Sequence, residues 1–267
     1  MIDEVLIDPG PASCLPTLLA ELDGKKPRAL LLTHIHLDHA GASGTLVARW
    51  PELEVYVHER GAPHMADPAR LLESARRLYG EQMEHLWGEI VPVPESQLRV
   101  LSGAEKLLGG RFEVAYTPGH ASHHVSYLHE GTAFVGDVGG VRIADDGPVI
   151  PPTPPPDIDI EAWHRSIETV LEWRPRRLAM THFGSTENVA AHLQRVAANL
   201  DEQAERARTL DRDSFITTMQ RQIVAEATPE IAAAYEQAAA ADQMYQGLER
   251  YWRKREEREA ARDTEAG

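Results

Sequence analysis

The chain has 267 residues, which is enough to bury a full hydrophobic core in one large α/β domain or in one domain with a modest addition. Its single cysteine, Cys14, excludes an intramolecular disulfide and a cysteine-based zinc site. The formal net charge of −15 argues against a partner bound through many phosphates, so we expect no nucleic acid ligand.

Nothing in the sequence resembles a membrane span or an export signal. No apolar run approaches the length that crosses a bilayer, and the first ten residues carry acids where a signal peptide carries basic residues. We therefore expect a soluble, cytoplasmic protein with no membrane partner.

Four short apolar runs predict strands, and each leads to a residue that can bind a metal. The runs and these residues, in chain order, are 29–33 before His34, 114–117 before a turn to His120, 132–136 before Asp137, and 178–181 before His182. Strands that present polar residues at the same end can bring those residues together on one rim of a sheet.

Between these strands the pattern predicts helices. Residues 46–50 have the spacing of a packed helix face, which Pro51 ends. Residues 68–87 form a longer helical segment, either a surface helix packed on the core or a lid over the site. The proline-rich residues 148–159 predict an extended loop that either lines the pocket or only connects its neighbours. From residue 160 onward the sequence is mostly helical.

The segment Thr33-His34-Ile35-His36-Leu37-Asp38-His39 places four side chains that can bind metal within six residues, directly after a predicted strand. In an extended or turning loop, His34 and His36 point to one side, whereas Asp38 and His39 follow where the chain bends into a helix. The segment can thus offer two groups to one cation and two to another. Imidazoles and a carboxylate suit zinc, iron or manganese. The alternative is a histidine-rich surface loop or a set of hydrogen-bonded core histidines.

Residues 34–39 resemble the signature of the metallo-β-lactamase fold hydrolases, and the family's other motifs follow in order. These further motifs are Thr117-Pro118-Gly119-His120, Gly136-Asp137 and Thr181-His182. Asp8, in Ile7-Asp8-Pro9-Gly10, is similar to a strand-end aspartate that supports the family's metal loop. The resemblance covers about residues 7–184.

The resemblance implies an α/β fold, the αββα metallo-β-lactamase sandwich, with a C-terminal helical extension. Residues 1–186 would form the metallo-β-lactamase-fold domain, and residues 187–267 would be helices packed on or beside it. Family members usually begin with several strands before the turn that contains Asp8, and this chain starts only a few residues ahead of it. The resemblance therefore predicts a sheet with fewer N-terminal strands. Either the sequence begins at a truncated or alternative start, or the C-terminal helices or another subunit in a homo-oligomer cover the exposed edge.

The resemblance further implies a centre of two divalent metal ions, with zinc first and iron or manganese as alternatives. It assigns seven ligands: His34, His36 and His120 on one ion, Asp38, His39 and His182 on the other, and Asp137 on both. Because a bound cation lowers the pKa of water, a hydroxide held between the ions would attack a substrate carbonyl. Asp38 is the candidate to manage a proton as the leaving group departs.

The remaining histidines are less informative. His123 and His124 either support a metal-binding histidine through a hydrogen bond or pack in the core. The other six have no motif context, and we expect structural roles for them; they are His58, His64, His85, His129, His164 and His192.

Length and charge exclude several branches of the family. A nuclease would need a basic groove and a further domain, and a flavodiiron protein would need a flavin domain. In glyoxalase II the last metal histidine precedes a tract that helps hold glutathione, and Phe183-Gly184-Ser185-Thr186 departs from it. We therefore expect a glyoxalase II-like or lactonase-like hydrolase of a small ester, thioester or lactone. The alternatives are a mononuclear iron persulfide dioxygenase and a noncatalytic metal-containing binding protein.

Overall fold

The computed structural model describes residues 1–266, with side chains through residue 262. The chain divides into two compact units. The first unit contains residues 1–116 and 123–129, and the second contains residues 117–122 and those from 130 onward. None of the described helices is long and apolar enough to cross a membrane.

The first unit contains seven strands and six α-helices. The strands are β1 (Val5–Ile7), β2 (Ala29–Leu31), β3 (Glu54–His58), β4 (Leu98–Leu101), β5 (Lys106–Leu107), β6 (Phe112–Tyr116) and β7 (Val125–His129). The helices are α1 (Leu15–Leu22), α2 (Leu37–Ala40), α3 (Ser43–Arg49), α4 (Ala62–Ala66), α5 (Ala69–Tyr79) and α6 (Met83–Trp87). Strands β1 to β4 form a parallel sheet in that order, and β5, β6 and β7 pair antiparallel.

The parallel sheet positions the two polar segments that follow β1 and β2. Its two central strands, β2 and β3, contribute to the core, with Leu30, Val55 and Val57 fully removed from solvent. Because parallel strands run in one direction, the carboxyl ends of β1 and β2 lie side by side, with Ile7 opposite Leu31. Asp8 directly follows β1, and residues 33–39 follow β2. The sheet therefore places these two segments next to each other.

The second unit contains three strands and five α-helices. The strands are β8 (Thr132–Phe134), β9 (Arg177–Ala179) and β10 (Ser185–Thr186). The helices are α7 (Ile160–Glu172), α8 (Val189–Thr209), α9 (Arg212–Glu226), α10 (Pro229–Ala238) and α11 (Ala241–Ala266). Strand β8 pairs parallel with β9, which forms an antiparallel hairpin with β10. The predicted C-terminal helical region is confirmed, and each of the four strands predicted from sequence is present.

One predicted element differs in detail. Residues 68–87 form two helices, α5 and α6, separated by a 3-10 turn at Gly80–Gln82. Gly80 has a φ of +51°, a left-handed conformation that ends α5 at Tyr79. Tyr79 and Trp87, on either side of this break, pack against each other with ring centroids 4.9 Å apart.

The proline-rich residues 148–159 form no helix, as predicted, and residues of α10 and α11 hold them in place. The Tyr235 hydroxyl donates to the Pro148 carbonyl at 2.5 Å, and Thr153 Oγ1 donates to the Met244 carbonyl at 3.3 Å. At Gly247, a Cβ would collide with the Thr153 carbonyl. The loop is therefore packed closely against the C-terminal helices of its own unit.

Close packing in the first unit gives a direct test. Gly44 lies in α3, and a Cβ there would collide with the carbonyl of Val91. We expect Gly44→Ala to lower the free energy of unfolding by about 1–3 kcal/mol, because overpacking outweighs the better helix propensity of alanine. Urea unfolding measures the change. Thr45→Ala, which removes atoms from the next residue of the same helix, is the control, and equal stability of Gly44→Ala and wild type would contradict the described packing.

Candidate metal centre

The first unit carries His34, His36, Asp38 and His39 in one turn at the end of β2. His34 and His39 are fully buried, whereas His36 and Asp38 are half-buried. The backbone at His36 is extended, and α2 begins at the next residue, Leu37. The predicted change from an extended loop to a helix within this motif is therefore what the structure shows, and it separates the first pair of side chains from the second.

A buried carboxylate, that of Asp8, holds this turn. Its Oδ1 accepts a hydrogen bond from the Thr33 backbone N–H at 2.8 Å, and its Oδ2 accepts one from Thr33 Oγ1 at 2.7 Å. Oδ2 also lies 2.8 Å from His39 Nδ1. The Asp8 carboxylate is 2% exposed, so these contacts supply the polar partners that a buried charge needs. Asp8 thus fixes both the start of the turn and the ring of His39.

The donor atoms of the turn form two close pairs. His34 Nε2 lies 3.1 Å from His36 Nδ1, and His39 Nε2 lies 3.5 Å from Asp38 Oδ2. Because His39 Nδ1 faces the Asp8 carboxylate, its proton belongs on Nδ1 and its lone pair on Nε2, toward Asp38. Each pair presents two metal-binding atoms at short range.

The second unit contributes His120 from a tightly constrained turn. The preceding residue, Gly119, has a φ of +135°, and a Cβ there would collide with the backbone of Trp163. His120 is buried, and its Nδ1 donates to the Pro152 carbonyl at 2.9 Å. This hydrogen bond places the His120 lone pair on Nε2.

Asp137 lies in the 3-10 turn Gly136–Gly139 that follows β8. Two side chains hold this turn by its carbonyls: Trp163 Nε1 donates to Val138 at 3.1 Å, and His192 Nε2 donates to Gly139 at 2.8 Å. Burial lowers the pKa of His192, and the nearby Arg142 and Arg195 lower it further, so a neutral His192 is favoured. The position of the Asp137 carboxylate is therefore determined by helices α7 and α8.

The two oxygens of Asp137 face two different histidines. Oδ2 lies 3.3 Å from His120 Nε2, and Oδ1 lies 3.6 Å from His182 Nε2. The Asp137 side chain is 5% exposed. One buried carboxylate therefore presents a separate oxygen beside each imidazole.

His182 lies in the loop of the β9–β10 hairpin. The hairpin is closed by a hydrogen bond from the Met180 N–H to the Gly184 carbonyl at 3.0 Å. Arg142 binds the same loop on both sides of His182, since its backbone N–H donates to the His182 carbonyl and its carbonyl accepts from the Phe183 N–H at 2.9 Å. Its guanidinium also donates to the Ser185 carbonyl at 3.0 Å.

Five of the other histidines make packing or hydrogen-bonding contacts. His123 Nδ1 accepts from the Ile35 N–H at 3.5 Å, and the His124 ring packs on His34 with centroids 5.1 Å apart. His58 is buried against Tyr116, and burial lowers the pKa of its imidazole. His129 Nδ1 donates to the Arg111 carbonyl, and His164 pairs with Asp201 at 2.7 Å.

Several residues that shape the centre have no local signal in the sequence. Trp163, Arg142 and the carbonyl of Pro152 act across 25 to 43 residues of chain, through contacts that no short motif encodes. Asp8 is different, because its position at a strand end before Pro9-Gly10 marks it in advance.

Comparison with known proteins gives the same family that the motifs resemble. The family model of the metallo-beta-lactamase superfamily matches residues 3–182. The metallo-beta-lactamase fold-containing protein ST1585 of Sulfurisphaera tokodaii is 30% identical over 201 residues, which are 72% of this chain and 74% of that protein. Hydroxyacylglutathione hydrolase of Xylella fastidiosa is 35% identical over 133 residues. That match spans 50% of this chain and only 40% of the relative's length.

Solved structures show the same fold. The archaeal ST1585 structure superposes with a TM-score of 0.65 at 23% identity, covering 91% of this chain and 87% of that one. TTHA1623, in a di-iron-bound form, superposes with a TM-score of 0.54 at 31% identity, covering 70% of this chain and 86% of that one. The predicted α/β metallo-β-lactamase fold is confirmed. The chain therefore belongs to the metallo-beta-lactamase superfamily of metal-dependent hydrolases.

Proposed function

We propose that this protein binds two divalent metal ions and hydrolyses a small ester, thioester or lactone. His34, His36 and His120 would hold one ion, Asp38, His39 and His182 would hold the other, and Asp137 would contribute to both. The observation that carries the proposal is the Asp137 carboxylate, whose two oxygens lie beside two different imidazoles. A carboxylate that bridges two ions needs this arrangement.

The spacing of the donor atoms fits metal ligation. Two ligands about 2.0–2.1 Å from a tetrahedral ion are roughly 3.3–3.4 Å apart. The four donor pairs within the two units have separations of 3.1, 3.5, 3.3 and 3.6 Å. These values are close to the ligand-to-ligand distance of a coordination sphere, and the donors are imidazole nitrogens and carboxylate oxygens, as zinc, iron and manganese accept.

The hydrogen bonds behind the histidines support the same proposal. Metal-binding histidines usually donate their other ring N–H to a carboxylate or a backbone carbonyl. His39 has the carboxylate of Asp8 at its Nδ1, and His120 has the Pro152 carbonyl. Both rings are therefore held with Nε2 directed to the neighbouring carboxylate, Asp38 or Asp137.

The relatives support the metal and the reaction class. TTHA1623 has a di-iron form, and hydroxyacylglutathione hydrolase is named for cleaving a thioester. Because the donor set contains no thiolate, it does not separate zinc from iron or manganese. We propose two divalent ions, zinc first, as the resemblance of the motifs to the family implies, with iron or manganese as the alternatives, and a small-molecule substrate.

The chemistry divides between the ions and the chain. Bound divalent ions would lower the pKa of water and polarise the substrate carbonyl. The proposed ligands differ in exposure: the Asp137 side chain is 5% exposed, whereas the Asp38 side chain is 30% exposed and can meet a substrate that arrives from solvent. Water adds its oxygen to the acyl carbon, the bond to the leaving oxygen or sulfur breaks, and an Asp38 oxygen carries the water proton to the departing group.

The bridging role of Asp137 is tested by its amide. We expect Asp137→Asn to reduce bound metal from near two ions per chain to one or fewer, because an amide carries no negative charge to offset two cations. Elemental analysis of purified protein measures the content. Hydrolysis of a lactone, a thioester and an aryl ester, before and after chelation, measures turnover. Asp201→Asn, which removes an exposed carboxylate beside His164, is the matched control.

Three results would contradict the proposal. Full metal content and full hydrolysis in Asp137→Asn would show that Asp137 does not bind both ions. About one iron per chain, oxygen uptake with glutathione persulfide and no hydrolysis would identify the dioxygenase. Tightly bound metal without turnover of any ester, thioester, lactone or β-lactam would identify a binding protein.

The proton role of Asp38 predicts a dependence on the leaving group. Loss of a proton donor slows departure of a basic alkoxide far more than departure of p-nitrophenolate. We therefore expect Asp38→Asn to lower kcat for an ethyl ester by about tenfold to a hundredfold more than for the p-nitrophenyl ester of the same acid. Rates per bound metal ion separate this effect from weaker ligation, and equal losses for both esters would leave Asp38 as a ligand only.

The position of His39 predicts a weaker metal site when Asp8 is changed. Asn tolerates the φ of +47° found at Asp8, so Asp8→Asn keeps the backbone but loses the charged acceptor. We expect metal affinity to fall by about tenfold to a hundredfold in a chelator competition assay. Asp3→Asn is the matched control, since Asp3 has the same φ of +47° and lies 3.6 Å from His129. Equal affinity of both variants would show that Asp8 does not position the ligand.

A further inference from the structure

Phe183 is a large apolar side chain that remains exposed beside a proposed metal ligand. Its side chain is 54% exposed, whereas His182, the preceding residue, is 9% exposed. Four other large apolar side chains among the described residues are comparably exposed: Met1, Ile2, Val100 and Val224. Phe183 is the aromatic member of this set, and the other four are far from the proposed ligands in sequence.

The backbone contacts of the hairpin fix the position of Phe183. Its N–H donates to the Arg142 carbonyl at 2.9 Å, and Ser185, two residues on, pairs with Ala179 across the β9–β10 ladder. Arg142 is itself buried, and its guanidinium donates to the Ser185 carbonyl. The loop is held before and after Phe183, so its ring is presented to solvent from a rigid support.

The Phe183 ring also lies next to the chemistry proposed above. Its centroid is 5.5 Å from that of His182, with the two rings nearly perpendicular at 83°. His182 Nε2 in turn faces Asp137 Oδ1 at 3.6 Å. A substrate whose carbonyl is bound at an ion held by His182 and Asp137 would extend past this exposed aromatic face.

We propose that Phe183 determines substrate specificity by packing against an apolar chain of the substrate, so that the enzyme prefers alkyl or aryl esters, thioesters or lactones over short polar ones. The inference rests on the proposed function, because it places the chain of a carbonyl substrate at the metal centre. Covering the exposed ring with methylene groups removes apolar surface of both partners from water, which is favourable roughly in proportion to the area. Each methylene that packs on the ring strengthens binding about twofold to fourfold.

The first experiment measures binding without turnover. Acetate, butyrate, hexanoate and octanoate are titrated into the metal-loaded protein by calorimetry. We expect octanoate to bind at least about tenfold tighter than acetate in wild type, and the ratio to fall to about threefold or less in Phe183→Ala. Phe183→Leu keeps an apolar side chain and should retain part of the ratio. Val224→Ala, which shortens another exposed apolar side chain, in α9, should leave the ratio unchanged.

Metal content and melting temperature should be the same in all four proteins, because Phe183 is exposed and ligates nothing. A merely structural role would lower both without changing the dependence on chain length. Wild type that binds octanoate no better than acetate, or a ratio that persists in Phe183→Ala, would overturn the inference.

A kinetic series then separates the two ends of the substrate. One series lengthens the acyl chain of p-nitrophenyl esters, and the other lengthens the alkyl chain of thioacetates. Phe183→Ala should flatten the dependence of KM on chain length in the series whose chain meets the ring. If binding depends on chain length in wild type but no ester or thioester is hydrolysed, the proposed function is wrong and the role of Phe183 stands. If wild type and Phe183→Ala hydrolyse the esters with the same dependence on chain length, the proposed function stands and the role of Phe183 is wrong.

Discussion

The turn that carries four of the proposed ligands depends on a carboxylate buried at the end of the first strand. Asp8 brings a negative charge into an interior where an unpaired charge is costly, and the chain surrounds it with the backbone and hydroxyl of Thr33 and the ring of His39. The influence of this charge extends further into the core. The pKa of the fully buried Tyr127 is raised, first by burial and then by the negative charge of Asp8. Because the carboxylate must satisfy three donors at once, the turn that carries His34 and His39 has little freedom.

In the second unit, hydrogen bonds to backbone groups hold the segments that carry the proposed ligands. Its key carboxylate, Asp137, is held through the carbonyls of its own turn, by Trp163 and His192. His120 is held by a carbonyl from the proline-rich loop, and His182 by the closed hairpin and Arg142. In each case the side chain of a proposed metal ligand extends from backbone that several distant elements constrain. A rigid backbone lets short polar side chains keep the donor spacings that a cation requires.

The candidate donors could be identified from the sequence because they lie in short motifs at strand ends. The composition of residues 34–39, with three histidines and an aspartate, is enough to indicate a candidate metal site. The strands before His120, Asp137 and His182 are apolar and uninterrupted. The seven-ligand assignment stays a prediction, now accompanied by the close pairs within each unit. Other strands were not evident: β3, Glu54-Val55-Tyr56-Val57-His58, mixes charged and apolar residues, and β5 and β10 have only two residues each. Strand order, the break at Gly80 and the contacts of Trp163 and Arg142 depend on partners far along the chain, which periodicity does not reveal.

Helices α10 and α11 support the proline-rich loop, so the chain cannot be shortened before them without loss of that support. Tyr235 binds the Pro148 carbonyl, α11 packs on Thr153 without room for a Cβ at Gly247, and the next carbonyl back, Pro152, is the one that orients His120. A shortened gene product ending after α9 would lack the supports of that loop while keeping every proposed ligand in its sequence. The last two helices are therefore not a removable appendage, and a boundary drawn from ligand motifs alone would cut through the scaffold of the metal centre.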